Sequence, residues 1–141
     1  MSATTLAALA RTSEPHAMLR RFLALDALVT GANGVAYLGA SGPLGRFLGV
    51  DSGLLLTLGA ILTAYGLAVG VLATRARPAA LPVQAVVEIN LAWTALSLLA
   101  LALWLTPSTA GAVWTVLQAL TVGGFAVLQY AALRSRQASS E

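Results

Sequence analysis

The sequence predicts an all-α polytopic membrane protein, an antiparallel up-down-up-down bundle of four transmembrane helices. Of 141 residues, 58% are hydrophobic and only 9% are charged, against about 25% charged residues in a typical soluble domain. Seven of the eight arginines lie at the segment ends predicted to share one side of the bilayer, and Arg46 is the exception. Four apolar segments reach the roughly 20 residues that a helix needs to cross a bilayer, namely residues 22–40, 54–73, 83–105 and 110–133.

These segments leave room for a single four-span domain, which we assign to residues 18–136. Residues 1–17 are small and polar, and they are predicted to form a frayed tail or a short surface helix ahead of the first span. Residues 137–141 form a second predicted tail. Consecutive spans are predicted to be antiparallel, because the links between them are short.

The first span carries a line of polar residues. Helical periodicity places them at i, i+4, i+7 and i+11 on one face, and they are Asp26, Thr30, Asn33 and Tyr37. A polar atom left unsatisfied in hydrocarbon costs several kcal/mol. This face is therefore predicted to point into the bundle.

The connection at residues 41–53 contains residues typical of turns and caps. Gly42 and Pro43 are predicted to end the first span, and Asp51 or Ser52 to cap the second.

The second span has a face of small residues at helical spacing, formed by Gly59, Thr63, Gly66 and Gly70. Such a face allows two helix backbones to approach closely. It is predicted to pack against a matching surface on the first span, formed by Ala27, Gly31 and Gly34. The alternative is that the small residues form the seam of a homodimer.

The third and fourth spans contribute further polar and aromatic side chains. The third carries Asn90, Trp93 and Ser97 on one side, with Glu88 nearly opposite, and the fourth carries Gln118 and Gln129. In the turn between these spans, Thr106 is predicted to cap the fourth helix, with Pro107 at its first position.

Depths follow from the rise of about 1.5 Å per residue in a helix. On that rise Asn33 and Gln118 lie near the bilayer midplane and Asn90 comes close to it. These amides are predicted either to hold helices together through hydrogen bonds or to contact a small ligand between helices. In the second case Tyr37, Trp93 and Trp114 would supply aromatic walls.

The two acidic residues within the spans are shallower and lie nearer the arginine-rich side. One interpretation is that Asp26 and Glu88 form ion pairs with Arg75, Arg77 or Arg134 at the helix ends. In the other, one carboxyl group holds a proton or binds a cation, since acidic residues within a membrane are costly and often functional. The sequence leaves both interpretations open.

The arginines also predict orientation, because basic residues near helix ends resist translocation. Both termini are therefore expected in the cytoplasm, with the arginines facing anionic lipid headgroups. A nucleic-acid partner is not expected, since binding one would require a basic groove on a soluble fold.

The sequence lacks the residues that several classes of enzyme need for catalysis. It contains no cysteine and one histidine, which excludes thiol chemistry and a histidine metal site. The HExxH and GxSxG patterns and a phosphate-binding glycine loop are also missing from it. We therefore expect no enzyme, no cofactor and no metal.

The polar pattern resembles that of small integral membrane proteins of actinobacteria, a group without an assigned activity. The resemblance covers most of the chain, and its residues are Asp26, Thr30, Gly31, Asn33, Gly34, Asn90, Trp93, Ser97, Thr109, Gly111, Gln118 and Gln129. Eight arginines without a lysine, in a chain rich in alanine and leucine, are typical of a GC-rich genome. The resemblance implies the inner membrane of a bacterial cell and implies no mechanism.

An acidic residue on the first of four spans is also similar to the small multidrug resistance transporters, which carry a glutamate there. This chain has Asp26 instead, is longer at both ends and has a second acid at Glu88.

Two functions remain as hypotheses. The sequence favours a non-enzymatic membrane scaffold or accessory module with a polar interior, associated with a second copy or another membrane protein. The alternative is a small transporter or ligand-binding bundle, coupled to protons or cations through Asp26 or Glu88. A small-molecule ligand belongs to this second hypothesis.

Overall fold

The computed structural model describes the backbone of residues 3–139 and the side chains of residues 16–137. Within that part of the chain, the regular secondary-structure elements are all helices, joined by short turns. Its helices are α1 (Ala3–Gly39), α2 (Ser41–Leu48), α3 (Ser52–Ala73), α4 (Ala80–Leu103) and α5 (Thr109–Ser139). The all-α fold class predicted from the sequence is confirmed.

The four long helices contain the apolar segments found in the sequence. Stretches long and apolar enough to cross a membrane run over His16–Gly39, Ser52–Ala73, Ala80–Leu103 and Thr109–Gln137. The chain is therefore a multi-pass membrane protein. Each predicted span lies almost wholly inside one of these stretches.

The described residues of the predicted tails, 3–17 and 137–139, continue the flanking helices. Helix α1 runs without a break from Ala3 into the first span, and α5 continues to Ser139. A frayed tail or a separate surface helix at residues 1–17 is therefore not what the described backbone shows. Alanine, leucine and arginine favour helix and are frequent in residues 3–11. The side chains of residues 1–15 and the backbone of residues 140 and 141 lie outside the described part.

Helices α1 and α3 pack closely through the small-residue face predicted for the second span. A Cβ added to Gly66 would lie 2.9 Å from the backbone nitrogen of Gly31, and one added to Gly59 would lie 2.9 Å from the carbonyl oxygen of Gly34. Gly70 lies against Ala27 at the other end of the same face. The predicted contact is confirmed, and the face is filled within the chain.

Contacts along α1, α4 and α5 establish the antiparallel order. Tyr37, near the end of α1, is hydrogen-bonded to Trp114, near the start of α5. Asp26, near the start of the first span, contacts Gln129, near the end of the last. In the same way the Thr94 hydroxyl of α4 reaches the carbonyl oxygen of Ala119 on α5, at 3.1 Å. The helices are thus arranged in the order α3, α1, α5, α4.

The ends of the bundle differ, and we name them by their residues. The basic end carries Arg20, Arg21, Arg75, Arg77, Arg134 and Arg136, and the opposite end, closed by α2, is called the α2 end. At the basic end an apolar cluster joins all four long helices. Its buried members are Leu19, Leu23, Val69, Ala73, Val83, Val86, Ala132 and Leu133.

Helix α2 covers the α2 end and is tied to the turn before α5. The Ser108 hydroxyl donates to the carbonyl oxygen of Phe47 at 2.7 Å, and the Ser108 amide donates to that of Leu48 at 3.1 Å. Gly49, with φ 69°, ends α2 in the left-handed conformation that glycine adopts without strain. Asp51 then accepts a hydrogen bond from the Leu54 amide at 3.1 Å, which confirms the predicted cap of α3.

The predicted start of α5 is wrong by two residues. Helix α5 begins at Thr109, and the Ser108 side chain accepts the Gly111 amide at 3.1 Å. Ser108 is therefore the capping residue, and Thr106 and Pro107 lie in the turn before it. Serine and threonine are both favoured at this position, so the sequence did not distinguish between them.

Candidate functional site

A buried polar cluster surrounds Asp26 in the half of the bundle near the basic end. Asp26 is completely buried, with 0% of its surface exposed. One carboxyl oxygen accepts the Thr30 hydroxyl at 2.9 Å. The other accepts the Asn90 side-chain amide at 2.8 Å and the Gln129 side-chain amide at 2.8 Å. Residues from α1, α4 and α5 thus meet at a single carboxyl group.

The same cluster extends to α3 through Tyr65. The Tyr65 hydroxyl lies 3.0 Å from the side-chain oxygen of Asn90 and 3.3 Å from the carbonyl oxygen of Val86. Asn90 also donates to the side-chain oxygen of Gln129 at 3.1 Å. All four long helices are therefore linked by hydrogen bonds at this level. Since buried polar atoms are costly unless paired, the cluster fixes how the four helices are rotated against one another.

Three arginines of the basic end form hydrogen bonds elsewhere. Arg20 donates to the carbonyl oxygen of Ala73 at 3.1 Å. Arg136 donates to the carbonyl oxygen of Pro78. Arg134 donates to the Tyr130 hydroxyl at 3.0 Å and lies over its ring. They satisfy main-chain acceptors at the ends of neighbouring helices, or a side chain on their own helix.

Ion pairing of Asp26 with these arginines, one of the two interpretations from the sequence, is wrong for the described residues. Amides on α4 and α5 occupy one oxygen of Asp26 instead, and the Thr30 hydroxyl occupies the other. Glu88 lies outside the cluster. Its side chain is exposed, and its one described contact is the Gln84 amide at 3.4 Å.

A cavity of about 440 Å³ lies between α3 and α4 in the half of the bundle near the α2 end. Its walls are mainly leucine and tryptophan. The α3 wall is formed by Leu54, Leu55 and Leu58, and the α4 wall by Trp93, Leu96, Ser97, Ala100 and Trp104. All three tryptophans of the chain line it. The volume lies within the roughly 300–1,000 Å³ of small-molecule sites.

The cavity exists because α3 and α4 meet only near the basic end. Tyr65 and the apolar cluster hold them together there, and toward the α2 end they separate. Leu96 and Trp104, at 58% and 68% exposed, line the cavity and also lie on the outer surface of the bundle. The cavity therefore opens sideways, toward the region that lipid chains occupy around a membrane protein.

A second cavity, of about 120 Å³, adjoins the first and lies nearer the middle of the spans; we call it the deeper cavity because it is deeper in the membrane. The two share walls made of two hydrogen-bonded pairs. The Trp93 indole donates to the side-chain oxygen of Gln118 at 2.7 Å, and the Trp114 indole donates to the Tyr37 hydroxyl at 2.7 Å. Asn33 lines the deeper cavity. A row of polar residues thus leads from Asp26 through Thr30 to the larger cavity.

The ten residues proposed from the sequence fall into three groups. Asp26, Thr30, Asn90 and Gln129 form the buried cluster, while Asn33, Tyr37, Trp93, Ser97 and Gln118 line the cavities; Thr30 also lines the deeper cavity. Glu88 joins neither group. The expected midplane layer is therefore divided, because Asn90 belongs to the cluster and Asn33 and Gln118 to the cavities.

Sequence reasoning missed Tyr65. It is the one aromatic residue of the second span, and a phenol in such a span usually finds a polar partner when buried. Among the described residues, the structure shows no group of three histidine, aspartate or glutamate side chains that could hold a metal ion.

Comparisons with protein-family models, with curated proteins and with solved structures returned no match for this chain. The features from which a function can be inferred are therefore the cluster and the two cavities.

Proposed function

We propose that this protein binds a small apolar or amphipathic molecule between α3 and α4, within the membrane. The observation that carries the proposal is the larger cavity, which has walls of leucine and tryptophan and opens toward the lipid. A binding site of this kind is concave, mostly apolar and supplied with a few polar groups. Ser97, Thr115 and Gln118 supply such groups here.

The geometry favours binding over the scaffold that the sequence favoured. The alternative prediction for the small-residue face of the second span was a homodimer seam, but Gly59 and Gly66 pack against α1 within the chain. The buried cluster holds α3 and α4 together at one end only. The opening at the other end is thus a feature of the fold, and a ligand could fill it.

Coupling to protons or cations through Asp26 is not part of this proposal. Both oxygens of Asp26 are occupied by donors from the chain, and no part of the residue is exposed to either cavity. Glu88 lies on the outer surface of α4. We assign the cluster a structural role, which is to keep the basic end closed while the α2 end stays open.

The proposal is tested by saturable quenching of tryptophan fluorescence with bromododecane, in protein reconstituted into lipid nanodiscs. Because all three tryptophans line the cavity, a bound brominated chain quenches them at a finite number of sites. Simple partition into lipid instead gives quenching that rises without saturation. Purely unsaturable quenching in the native protein would refute the proposal.

Two variants on the same helix locate the site. Ala100→Phe places a ring in the cavity, whereas Ala102→Phe places the same ring on an exposed position outside it. We expect the first to weaken saturable quenching about tenfold or more and the second to leave it unchanged. Equal effects of the two variants would show that the probe binds elsewhere.

We further propose that the basic end faces the cytoplasm of a bacterial cell and contacts anionic lipid headgroups. Its support is the exposure of Arg21, Arg75 and Arg134 at one end of the bundle, because arginines near helix ends resist translocation. The chain has no cysteine, so single replacements are clean reporters. In intact cells a membrane-impermeant maleimide should label Pro43→Cys and spare Ala76→Cys, and the reverse pattern would invert the topology.

A further inference from the structure

The deeper cavity contains a polar group for which the chain supplies no partner. Seven polar or aromatic side chains with hydrogen-bonding atoms line it: Thr30, Asn33, Tyr37, Trp93, Trp114, Gln118 and Thr121. Six of them take part in hydrogen bonds with other residues. For Asn33 the described residues provide none. Its amide can donate two hydrogen bonds and accept two.

This unpaired amide lies where a partner matters. Asn33 is near the middle of the first span, and its side chain is half-buried. Unpaired polar atoms at such depth are energetically costly, because no water is there to pair with them. The side chains around Asn33 leave a cavity of about 120 Å³. This volume has room for a small polar group or a few water molecules.

The walls also restrict the charge of that group. Among the described residues, neither cavity is lined by an arginine, aspartate or glutamate. Asp26 is the nearest acid along the polar row, and its oxygens are already occupied and buried. A full charge bound beside Asn33 would therefore lie at depth without a counter-charge, which is strongly unfavourable. The complementary group is uncharged.

The two cavities together describe one ligand. They share Tyr37, Trp93, Trp114 and Gln118 as common walls, so a molecule can extend from one into the other. The larger cavity runs from Trp93 to Trp104 along α4, roughly 16 Å at the helical rise. That length suits an extended alkyl chain or a fused ring system, with its polar group at the deep end.

We propose that the ligand is an uncharged amphiphile, such as a long-chain alcohol or ketone. Its polar group is hydrogen-bonded to the Asn33 amide, and its apolar body fills the cavity between α3 and α4. This inference rests on the proposed binding function and adds the chemical class of the ligand. It also orients the ligand, with its polar group buried at mid-membrane and its apolar part toward the α2 end.

The test compares three brominated probes by tryptophan quenching in nanodiscs: bromododecane, ω-bromododecanol and ω-bromododecyltrimethylammonium. In the native protein the alcohol should bind about three- to tenfold more tightly than the alkane, which corresponds to about 0.7–1.4 kcal/mol, within the range of one net hydrogen bond. The cationic probe should bind more weakly than both. Affinities are compared after correction for each probe's partition into lipid.

Asn33→Leu should remove the preference for the alcohol while leaving saturable binding of bromododecane. The matched control is Thr57→Val on α3, a threonine outside both cavities whose hydroxyl bonds the Gly53 carbonyl, and it should keep the preference. Equal binding of alcohol and alkane to the native protein, which requires no variant, would show that the deep cavity holds water only. Tighter binding of the cation would refute the uncharged class. If bromododecane itself fails to saturate, the proposed function fails instead.

Discussion

Replacing Asp26 distinguishes a structural cluster from a charge-handling site, and the hydrogen bonds allow the outcome to be estimated. In Asp26→Leu both acceptor oxygens are lost. The Gln129 amide and the Thr30 hydroxyl then lose their acceptors, which lay at 2.8 and 2.9 Å, while the Asn90 amide keeps its bond to Gln129. A buried donor left without a partner costs about 1–3 kcal/mol. We therefore expect Asp26→Leu to lower the free energy of unfolding by about 2–6 kcal/mol.

Asp26→Asn should be far milder. The asparagine oxygen can accept both amides, and its new NH₂ group faces the Thr30 hydroxyl, which now donates to Asp26 at 2.9 Å. A hydroxyl group both donates and accepts, so Thr30 can turn its hydrogen away and receive the amide instead. The expected loss is at most about 1.5 kcal/mol, the net value of one hydrogen bond.

The assay is reversible unfolding by sodium dodecyl sulfate in mixed micelles, followed by far-ultraviolet circular dichroism. Glu88→Leu is the matched control, because it removes an acid from the exposed surface of α4. It should lower the free energy of unfolding by less than about 0.5 kcal/mol. If Asp26→Asn is as costly as Asp26→Leu, the charge rather than the hydrogen-bond geometry holds the cluster together. A cost below about 1 kcal/mol for Asp26→Leu would equally refute the reasoning.

Two further predictions concern packing and capping. Gly66→Ala should lower stability by about 1–3 kcal/mol, because its Cβ would lie 2.9 Å from the Gly31 nitrogen, whereas Gly31→Ala, whose Cβ meets nothing within 4 Å, should be tolerated. The opposite ranking in the same unfolding assay would contradict the packing of α1 on α3. Ser108→Ala should cost about 0.5–2 kcal/mol and speed amide exchange at Gly111, since it removes the cap of α5 and the bond to Phe47. Unchanged exchange at that amide would contradict the capping role.

Periodicity predicted the faces of the helices well, because it depends only on residues within one span. The stripe from Asp26 to Tyr37 does face the interior, and the Gly59 to Gly70 face does pack on α1. Periodicity does not identify the neighbouring helix that a face meets. Asp26 and Asn90 are 64 residues apart, and the pairing of their side chains depends on how α1 and α4 are rotated and shifted. Because the sequence does not give that rotation and shift, the arginines at the helix ends were plausible partners for Asp26.

The larger cavity could not be predicted from the sequence either, for a different physical reason. In a soluble protein the buried surface and the outer surface differ in polarity. In a membrane protein they do not differ in this way, because lipid chains are as apolar as leucine. Leu58 in the cavity wall and Leu56 on the outer face of α3 therefore carry the same hydropathy. What distinguishes the cavity wall is a polar pair between α4 and α5, the hydrogen bond from Trp93 to Gln118. That pair marks where α4 and α5 approach each other, but the space beside it depends on how far α3 and α4 separate, which the residues of a single span do not determine.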